Sequence, residues 1–165
     1  MTRHREPAPM EASTAAIAVE CVPSGGLRCG IDLVDVESFR RCLVVGGERF
    51  LRRVFTPAEL DHCRDRTERL AAHFACKEAA AKMLGTGIRG VGWQDIEVIT
   101  AAHGEPTLIL RGRAIERARD IGLQRWAISI SHERHSAISY VVGWCSDRKS
   151  RSPRQSKVRE GVYVG

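Results

Sequence analysis

The stretch from His73 to Ile88, HFACKEAAAKMLGTGI, combines an alanine-rich helical pattern with charged side chains that could act in catalysis. Glu78 borders the apolar side of the predicted helix, and Lys82 follows one turn later. An ionised carboxylate beside an apolar surface is costly unless a positive charge compensates it. An i,i+4 ion pair with Lys82 is one explanation, and a cation bound in a functional site is the other.

Asp32 is the second unusual carboxylate, in a segment, CGIDLVDV, that has the pattern of a β-strand. Apolar residues occur on both faces of this strand, so we expect it to be buried on both sides. Aspartate is unfavourable within strands, and a structural aspartate that caps a neighbouring helix is one alternative. Together with Glu78, Asp32 would provide the hard oxygen ligands that suit Mg²⁺, with substrate phosphates and waters completing the coordination.

Two further features favour an anionic ligand. The segment LGTGIRG follows the helix directly and offers small residues with accessible backbone N–H groups, although Gly85 alone is also an ordinary helix C-cap. His132 follows an alternating strand pattern, AISIS, where a plain surface histidine is the alternative. Aspartate, glutamate, lysine, histidine and a glycine-rich turn are together typical of a phosphoryl-transfer site.

The net charge of +6 is concentrated in one segment of the 165-residue chain. Residues 146–160 contain six Lys/Arg and two Asp/Glu, whereas residues 1–26 are slightly acidic. Because the basic tail carries most of the excess and only 5% of residues are aromatic, we expect no nucleic-acid partner. No run of eighteen apolar residues occurs, so we also expect no membrane-spanning helix.

The six cysteines predict no zinc knuckle or thioredoxin motif, because no pair has C-x-x-C spacing, whereas their even number could suggest disulfides. Cys42, Cys63 and Cys76 lie in apolar helical contexts, and we interpret the cysteines as free thiols in a reducing cytoplasm.

The pattern of elements predicts an α+β fold with an antiparallel sheet. We expect a disordered leader (residues 1–26), one folded domain (residues 27–145) and a disordered basic tail (residues 146–165). The predicted strands cover residues 27–36, 93–100, 107–112, 125–132 and 136–144. The predicted helices cover residues 36–55, broken at Gly46-Gly47, then 57–65, capped by Thr56, then 66–84 and 113–123.

These motifs, in this order, resemble the holo-[acyl-carrier-protein] synthases, the small trimeric class of 4′-phosphopantetheinyl transferases. The resemblance covers residues 27–143 without a large gap. It is carried by GID (30–32), FACKEAAAK (74–82), GTG (85–87), WQDIEV (93–98), GEP (104–106) and WAISISH (126–132).

The resemblance implies that a serine hydroxyl of an apo acyl carrier protein attacks the β-phosphorus of coenzyme A, so that 3′,5′-ADP leaves. Asp32 and Glu78 would hold Mg²⁺, and Glu78 would also help to deprotonate the serine. Lys82 would neutralise the diphosphate, and His132 would contact phosphates or position the hydroxyl. Gly85, Gly104 and Pro106 would line the coenzyme A site.

The resemblance also implies an antiparallel sheet packed on a long helix, and a homotrimer whose sites lie between subunits. Because carrier proteins are acidic, five arginines of the first helix would form the docking face: Arg40, Arg41, Arg49, Arg52 and Arg53. A merely solvated helix face is the alternative for these arginines. For the whole chain, the alternative function is a non-catalytic carrier-binding module of the same fold.

Overall fold

The computed structural model describes residues 26–101 and 104–146 of the chain. Its strands are β1 (Gly26–Asp35), β2 (Ile96–Thr100), β3 (Pro106–Leu110), β4 (Leu123–His132) and β5 (Ser136–Cys145). Its helices are α1 (Val36–Val54), α2 (Pro57–Cys63), α3 (Thr67–Leu84), α4 (Gly87–Gly90) and α5 (Gly112–Asp120). A 3₁₀ turn, Trp93–Asp95, replaces the predicted start of β2, because the Asp95 carboxylate accepts the Gly92 N–H and closes the turn.

Both sheets of the described chain are antiparallel, which confirms the predicted α+β class. The larger sheet has the order β1-β5-β4, and the smaller pairs β2 with β3. Helix α3 packs chiefly against β1 and β5, and also contacts β2, β4 and the helices α1 and α2.

The prediction that β1 is buried on both faces was wrong. Gly30, Asp32 and Val34 point towards α3, whereas Ile31 and Leu33 are 53% and 67% exposed. The reason is that no element of the described chain covers the outer face of this sheet. The apolar alternation on β1 therefore marks a second apolar surface and not a second internal core.

The alanines of α3 allow the helix to lie close to the sheet. Ala75, Ala79 and Ala80 are fully buried between the helix backbone and its neighbours. Gly30 of β1 completes this close approach, because a Cβ at that position would lie 1.9 Å from the carbonyl oxygen of Ala79. Small residues on both elements thus bring the backbone around Asp32 against the middle of α3.

Local sequence signals set the boundaries of the helices around α3. Gly47 has a positive φ of 54°, which breaks α1 at the predicted place. Thr56 caps α2 in a capping box with Glu59, and α3 ends at Gly85, which adopts the left-handed conformation. These features confirm the predicted break in α1, the predicted cap of α2 and the predicted end of α3.

A buried ion pair joins α2 to α3. Lys77 and Glu59 are both fully buried, with 2.8 Å between Nζ and Oε2. Lys77 also donates to the carbonyls of Trp93 and Ile96, and Glu59 accepts from the backbone N–H of Val98. The pair therefore fixes β2 as well as the two helices.

The remaining sequence predictions concern the cysteines, membrane-spanning helices and the two ends of the chain. The five cysteines within residues 26–101 and 104–146 are free thiols (Cys29, Cys42, Cys63, Cys76 and Cys145). Among the described residues, no helix is both long and apolar enough to cross a membrane. The predicted leader and tail lie outside the described residues, except that Gly26 begins β1 and Ser146 donates to the Gly122 carbonyl.

Candidate active site

Asp32, Glu78 and Lys82 lie together where β1 crosses α3. The Lys82 ammonium lies 2.7 Å from Asp32 Oδ1 and 3.0 Å from the carbonyl oxygen of Ile31. Lys82 is half exposed, whereas the Asp32 side chain is only 17% exposed. The structure thus unites three of the residues that the sequence singles out, from segments fifty positions apart.

The pKa of Glu78 depends on its burial and on its charged neighbours. Burial raises the pKa of Glu78, the negative charge of Asp32 raises it further, and Lys82 acts in the opposite direction. A cation close to Glu78 would stabilise its ionised form in this half-buried position beside Asp32.

The simpler structural explanations for these two carboxylates do not match the geometry. Lys82 forms its ion pair with Asp32, and no Glu78–Lys82 ion pair occurs among the described residues. Asp32 caps no helix, because it is Asp35 that accepts the Ser38 N–H at the start of α1. The carboxylates therefore have no structural role of the kind that the sequence left open.

Gly85 lies at the end of α3, one turn after Lys82 on the same side of the helix. Its φ of 73° favours glycine. Arg28 and Arg117 donate to the carbonyls of Met83 and Leu84, and a Cβ on Gly85 would lie 2.8 Å from an Arg28 guanidinium nitrogen. This end of the helix is therefore cationic, as expected where phosphates bind.

Gly104, Pro106 and His132 line a separate cavity of about 390 Å³. The cavity lies between the α2–α3 side of the molecule and the ends of β3 and β4. Its walls include residues that the sequence analysis missed: His62, Arg69 and His73. No sequence pattern connects His62 with His132, because only the fold brings α2, α3 and β4 to one place.

The two groups of candidate residues lie apart within one chain. Asp32 pairs across the sheet with Ser139 of β5, which pairs with Ile130 of β4, so that two strand spacings, about 10 Å, separate Asp32 from Ile130. His132 lies two residues further along β4. None of Asp32, Glu78 and Lys82 lines the His132 cavity. The candidate residues of a single chain therefore fall into two separate groups.

The five candidate docking arginines are all exposed on α1. Arg40, Arg41 and Arg52 form ion pairs with Glu37 or Glu48, whereas no ion pair is formed by Arg49 or Arg53 among the described residues. Five arginines against two glutamates leave α1 cationic. Arg52 and Arg53 also border a cavity of about 620 Å³ whose other walls include Arg89, Trp93 and Arg113.

Other catalytic chemistries find little support in the described residues. No group of three or more His, Cys, Asp or Glu side chains there is arranged to hold a metal ion, so a metal at Asp32 and Glu78 needs further ligands. Burial raises the pKa of Cys63 to about 12 and that of Cys76 to about 11, so these thiols are poor nucleophiles.

Comparison with known proteins identifies relatives across most of the chain. Residues 28–136 match the family model described as the 4′-phosphopantetheinyl transferase superfamily. A holo-[acyl-carrier-protein] synthase of Herpetosiphon aurantiacus is 43% identical over 121 residues, covering 69% of this chain and 95% of the relative. One of Halothermothrix orenii is 44% identical over 117 residues, covering 69% and 94%.

Solved structures give the same result. The Helicobacter pylori holo-[acyl-carrier-protein] synthase in complex with coenzyme A matches with a TM-score of 0.64 and 31% identity, over 70% of this chain and 98% of that one. A coenzyme A complex of the Chronobacterium ammoniagenes enzyme matches with a TM-score of 0.65 and 29% identity, over 73% and 98%.

Proposed function

Because the chain belongs to the 4′-phosphopantetheinyl transferase superfamily, we propose that it acts as a holo-[acyl-carrier-protein] synthase. It transfers the 4′-phosphopantetheine group from coenzyme A to a serine of an apo acyl carrier protein. The observation that carries this function is the convergence of Asp32, Glu78 and Lys82 where β1 crosses α3.

The reaction is a displacement at phosphorus. The serine oxygen forms a bond to the β-phosphorus of coenzyme A, and the bond from that phosphorus to the bridging oxygen breaks. The bridging oxygen leaves with 3′,5′-ADP, while the serine proton passes to a base. Positioning and charge neutralisation supply most of the catalysis in such a transfer.

Asp32 and Glu78 suit a magnesium ion. Mg²⁺ is bound in proteins by one or two carboxylates and keeps waters or substrate phosphates as its other ligands, which fits a pair of partly exposed carboxylates. The raised pKa of Glu78, caused by burial and by Asp32, also fits a site that a cation completes. When bound, the ion would neutralise charge on the diphosphate.

Lys82 and Glu78 have distinct tasks in this proposal. Lys82, half exposed and flexible, moves from Asp32 to the diphosphate when coenzyme A enters. Glu78 accepts the proton of the serine hydroxyl, directly or through a water. Gly85, next to Arg28 and Arg117, lines the phosphate path at the end of α3.

We infer that a complete site is shared between subunits of a homotrimer. One subunit supplies Asp32, Glu78 and Lys82, and its neighbour supplies the cavity with Gly104, Pro106 and His132. The outer face of the larger sheet is suited to the interface between them. Its exposed apolar side chains form cross-strand pairs, namely Leu27 with Trp144, Ile31 with Tyr140 and Leu33 with Ile138.

Helix α1 is the proposed docking surface for the acidic carrier protein. Arg49 and Arg53 have no ion pair among the described residues and are available to carboxylates of a partner. Arg40, Arg41 and Arg52 add to the same positive field, which favours rapid encounter with an acidic protein.

Free thiols at five positions of the described chain fit a reducing cytoplasm as the place of action.

The alternative, a non-catalytic carrier-binding module, is less favoured. A binding module needs the arginines of α1 but has no use for a half-buried glutamate, Glu78, whose pKa is raised by burial and by Asp32. Keeping Glu78 half-buried beside Asp32 costs stability unless Glu78 serves a cation or a substrate.

The function is tested by intact mass spectrometry of apo acyl carrier proteins incubated with the protein, coenzyme A and Mg²⁺, with EDTA as the control. A metal-dependent gain of one phosphopantetheine is expected on at least one carrier. A panel of fatty-acid, polyketide and peptide-synthesis carriers is needed, because all three classes present the same reacting serine. No gain on any carrier would support the binding-module alternative, which predicts binding of the carrier without modification.

A further inference from the structure

Lys82 lies against a carboxylate oxygen that a metal ion at Asp32 could use. Its ammonium is 2.7 Å from Asp32 Oδ1 and also donates to the carbonyl oxygen of Ile31 at 3.0 Å. Mg²⁺ binds carboxylate oxygens at about 2.0–2.1 Å, so an ion on Oδ1 would lie next to the ammonium. Two cations so close repel each other, and the lysine and the metal therefore compete for Asp32.

Lys82 supplies positive charge to both carboxylates of this group. It forms an ion pair with Asp32, and its charge opposes the effects of burial and of Asp32 on Glu78. The Lys82 side chain is half exposed, whereas that of Asp32 is 17% exposed. A lysine ammonium on a long flexible stem can leave this position while the carboxylates stay in place. Lys82 can thus exchange one anionic partner for another without a change in the fold.

A purely structural role is the ordinary explanation for the Lys82–Asp32 ion pair, because it joins α3 to β1. The close approach of these two elements has another cause, however. Gly30 lets β1 lie against the backbone of α3, and Ala79 is fully buried beside it. An ion pair with a half-exposed lysine adds little to such packing. The position of the ammonium therefore matters more for what binds at Asp32 than for the fold.

We propose that Lys82 is an internal counter-cation, which keeps the metal affinity of Asp32 and Glu78 low until the diphosphate of coenzyme A draws it away. This inference rests on the proposed function, from which it takes the metal site and coenzyme A. The ion pair with Asp32 is broken only once when both ligands bind, so each ligand makes binding of the other easier. By linkage, Mg²⁺ and coenzyme A raise each other's affinity by the same factor.

The first test measures Mn²⁺ binding to the full chain without coenzyme A, by electron paramagnetic resonance of the free ion. Mn²⁺ takes octahedral oxygen ligands as Mg²⁺ does, and displacement by Mg²⁺ shows that both ions share the site. Salt of about 0.15 M screens charges more than about 8 Å away. Lys82→Met and Lys82→Gln remove the charge, and Asp32→Asn removes the proposed ligand. The matched control is Arg119→Met, which removes a charge from the exposed surface of α5.

Both Lys82 variants should bind Mn²⁺ about two- to fivefold more tightly than the native chain, the factor expected when such an ion pair no longer competes. Arg119→Met should bind like the native chain, and Asp32→Asn should lose the binding. A purely structural Lys82 predicts unchanged metal affinity instead. Unchanged affinity in both Lys82 variants, an equal gain in Arg119→Met, or full binding by Asp32→Asn would overturn the proposal.

The second test measures the coupling in the reverse direction, by calorimetry of coenzyme A binding in EDTA and in saturating Mg²⁺. The ratio of the two Kd values should be about two- to fivefold larger for the native chain than for Lys82→Met. This difference is expected even though the variant binds coenzyme A more weakly in both solutions. Equal ratios in the two chains would contradict the role of Lys82 as a counter-cation.

Failure of the counter-cation is separable from failure of the proposed function. A chain that modifies carriers with Mg²⁺, but whose metal affinity does not depend on Lys82, lacks only the counter-cation. A chain that binds neither Mn²⁺ nor coenzyme A and modifies no carrier lacks the function itself.

Discussion

Glu78 is the residue on which the catalytic proposal depends most. It is placed half-buried beside Asp32, where burial and the neighbouring carboxylate both raise its pKa. In the metal-free protein this arrangement costs stability at neutral pH. The favourable contribution of the protonated form is complete below the pKa of an unfolded glutamate, near 4.5, and is lost as the pH rises through the raised pKa.

We therefore expect Glu78→Gln to reduce transfer by about 10²–10⁴-fold while raising the thermal stability of the metal-free protein at pH 7. Glutamine keeps the shape of the side chain but removes the charge that Asp32 opposes. In differential scanning fluorimetry, Mg²⁺ should raise the Tm of the native chain but not that of the variant. A variant with normal activity and an unchanged response to Mg²⁺ would remove Glu78 from both roles.

The lysines on either side of Glu78 allow structural and functional effects to be separated. Lys77 is fully buried against Glu59, whereas Lys82 is half exposed beside Asp32. We expect Lys77→Met to lower the free energy of unfolding by about 3–5 kcal/mol, because it leaves Glu59 buried without a cation.

Lys82→Met, the matched control, should change the free energy of unfolding by less than about 1 kcal/mol but should raise the KM for coenzyme A. Urea denaturation and steady-state kinetics measure the two effects. The assignment of the two lysines would be contradicted if Lys82→Met were the more destabilised variant, or if it bound coenzyme A normally.

At the scale of elements, the close approach of β1 and α3 holds the site together. A Cβ on Gly30 would lie 1.9 Å from a backbone oxygen of α3, which only movement of the strand or helix can relieve. Gly30→Ala should therefore destabilise the protein by about 1–3 kcal/mol and shift Asp32 away from Glu78. The decrease in transfer should exceed the decrease in folded fraction.

The matched control for Gly30→Ala is Cys29→Ala, a small change on the neighbouring residue, which faces away from α3. Denaturation and transfer rates measured at one temperature compare the two. If both variants retained native activity, the spacing of β1 and α3 would not control the position of Asp32.

The sequence predicted much of the architecture because local signals are strong here. The capping box at Thr56, the break at Gly47 and the stop at Gly85 each have a local physical cause. The exposure of Ile31 could not be predicted in this way, because alternation of apolar residues is the same whether a sheet face is covered by its own chain or by another.

For the candidate site, the sequence indicated residues that are unusual for their own element and missed residues that only the fold brings together. Asp32 in a strand and Glu78 beside an apolar helix face are each locally improbable, and the structure brings them together. His62, Arg69 and His73 are unremarkable on their own helices. Only tertiary packing places them around one cavity with His132.

At the scale of the whole molecule, the larger sheet exposes an apolar outer face, which we propose is buried in the trimer. A charge placed on it should prevent assembly without affecting the internal core, since Leu33 is 67% exposed. We expect the native chain to have a trimer mass by light scattering and Leu33→Asp to have a monomer mass. Arg119→Asp, on the exposed surface of α5, should remain a trimer. A native monomer, or a trimeric Leu33→Asp, would contradict this interface.

The central claim, that each site combines Asp32, Glu78 and Lys82 of one subunit with the His132 cavity of its neighbour, is tested most directly by complementation. Glu78→Gln and His132→Ala damage opposite halves of the proposed site. Each variant alone should be nearly inactive, whereas trimers assembled from an equal mixture should contain intact sites. Random assembly should restore about a quarter of the native activity. A site is intact only when its Glu78 half comes from a His132→Ala subunit and its His132 half comes from a Glu78→Gln subunit. Mixed trimers that regain no activity, or a His132→Ala variant that loses none, would contradict the claim.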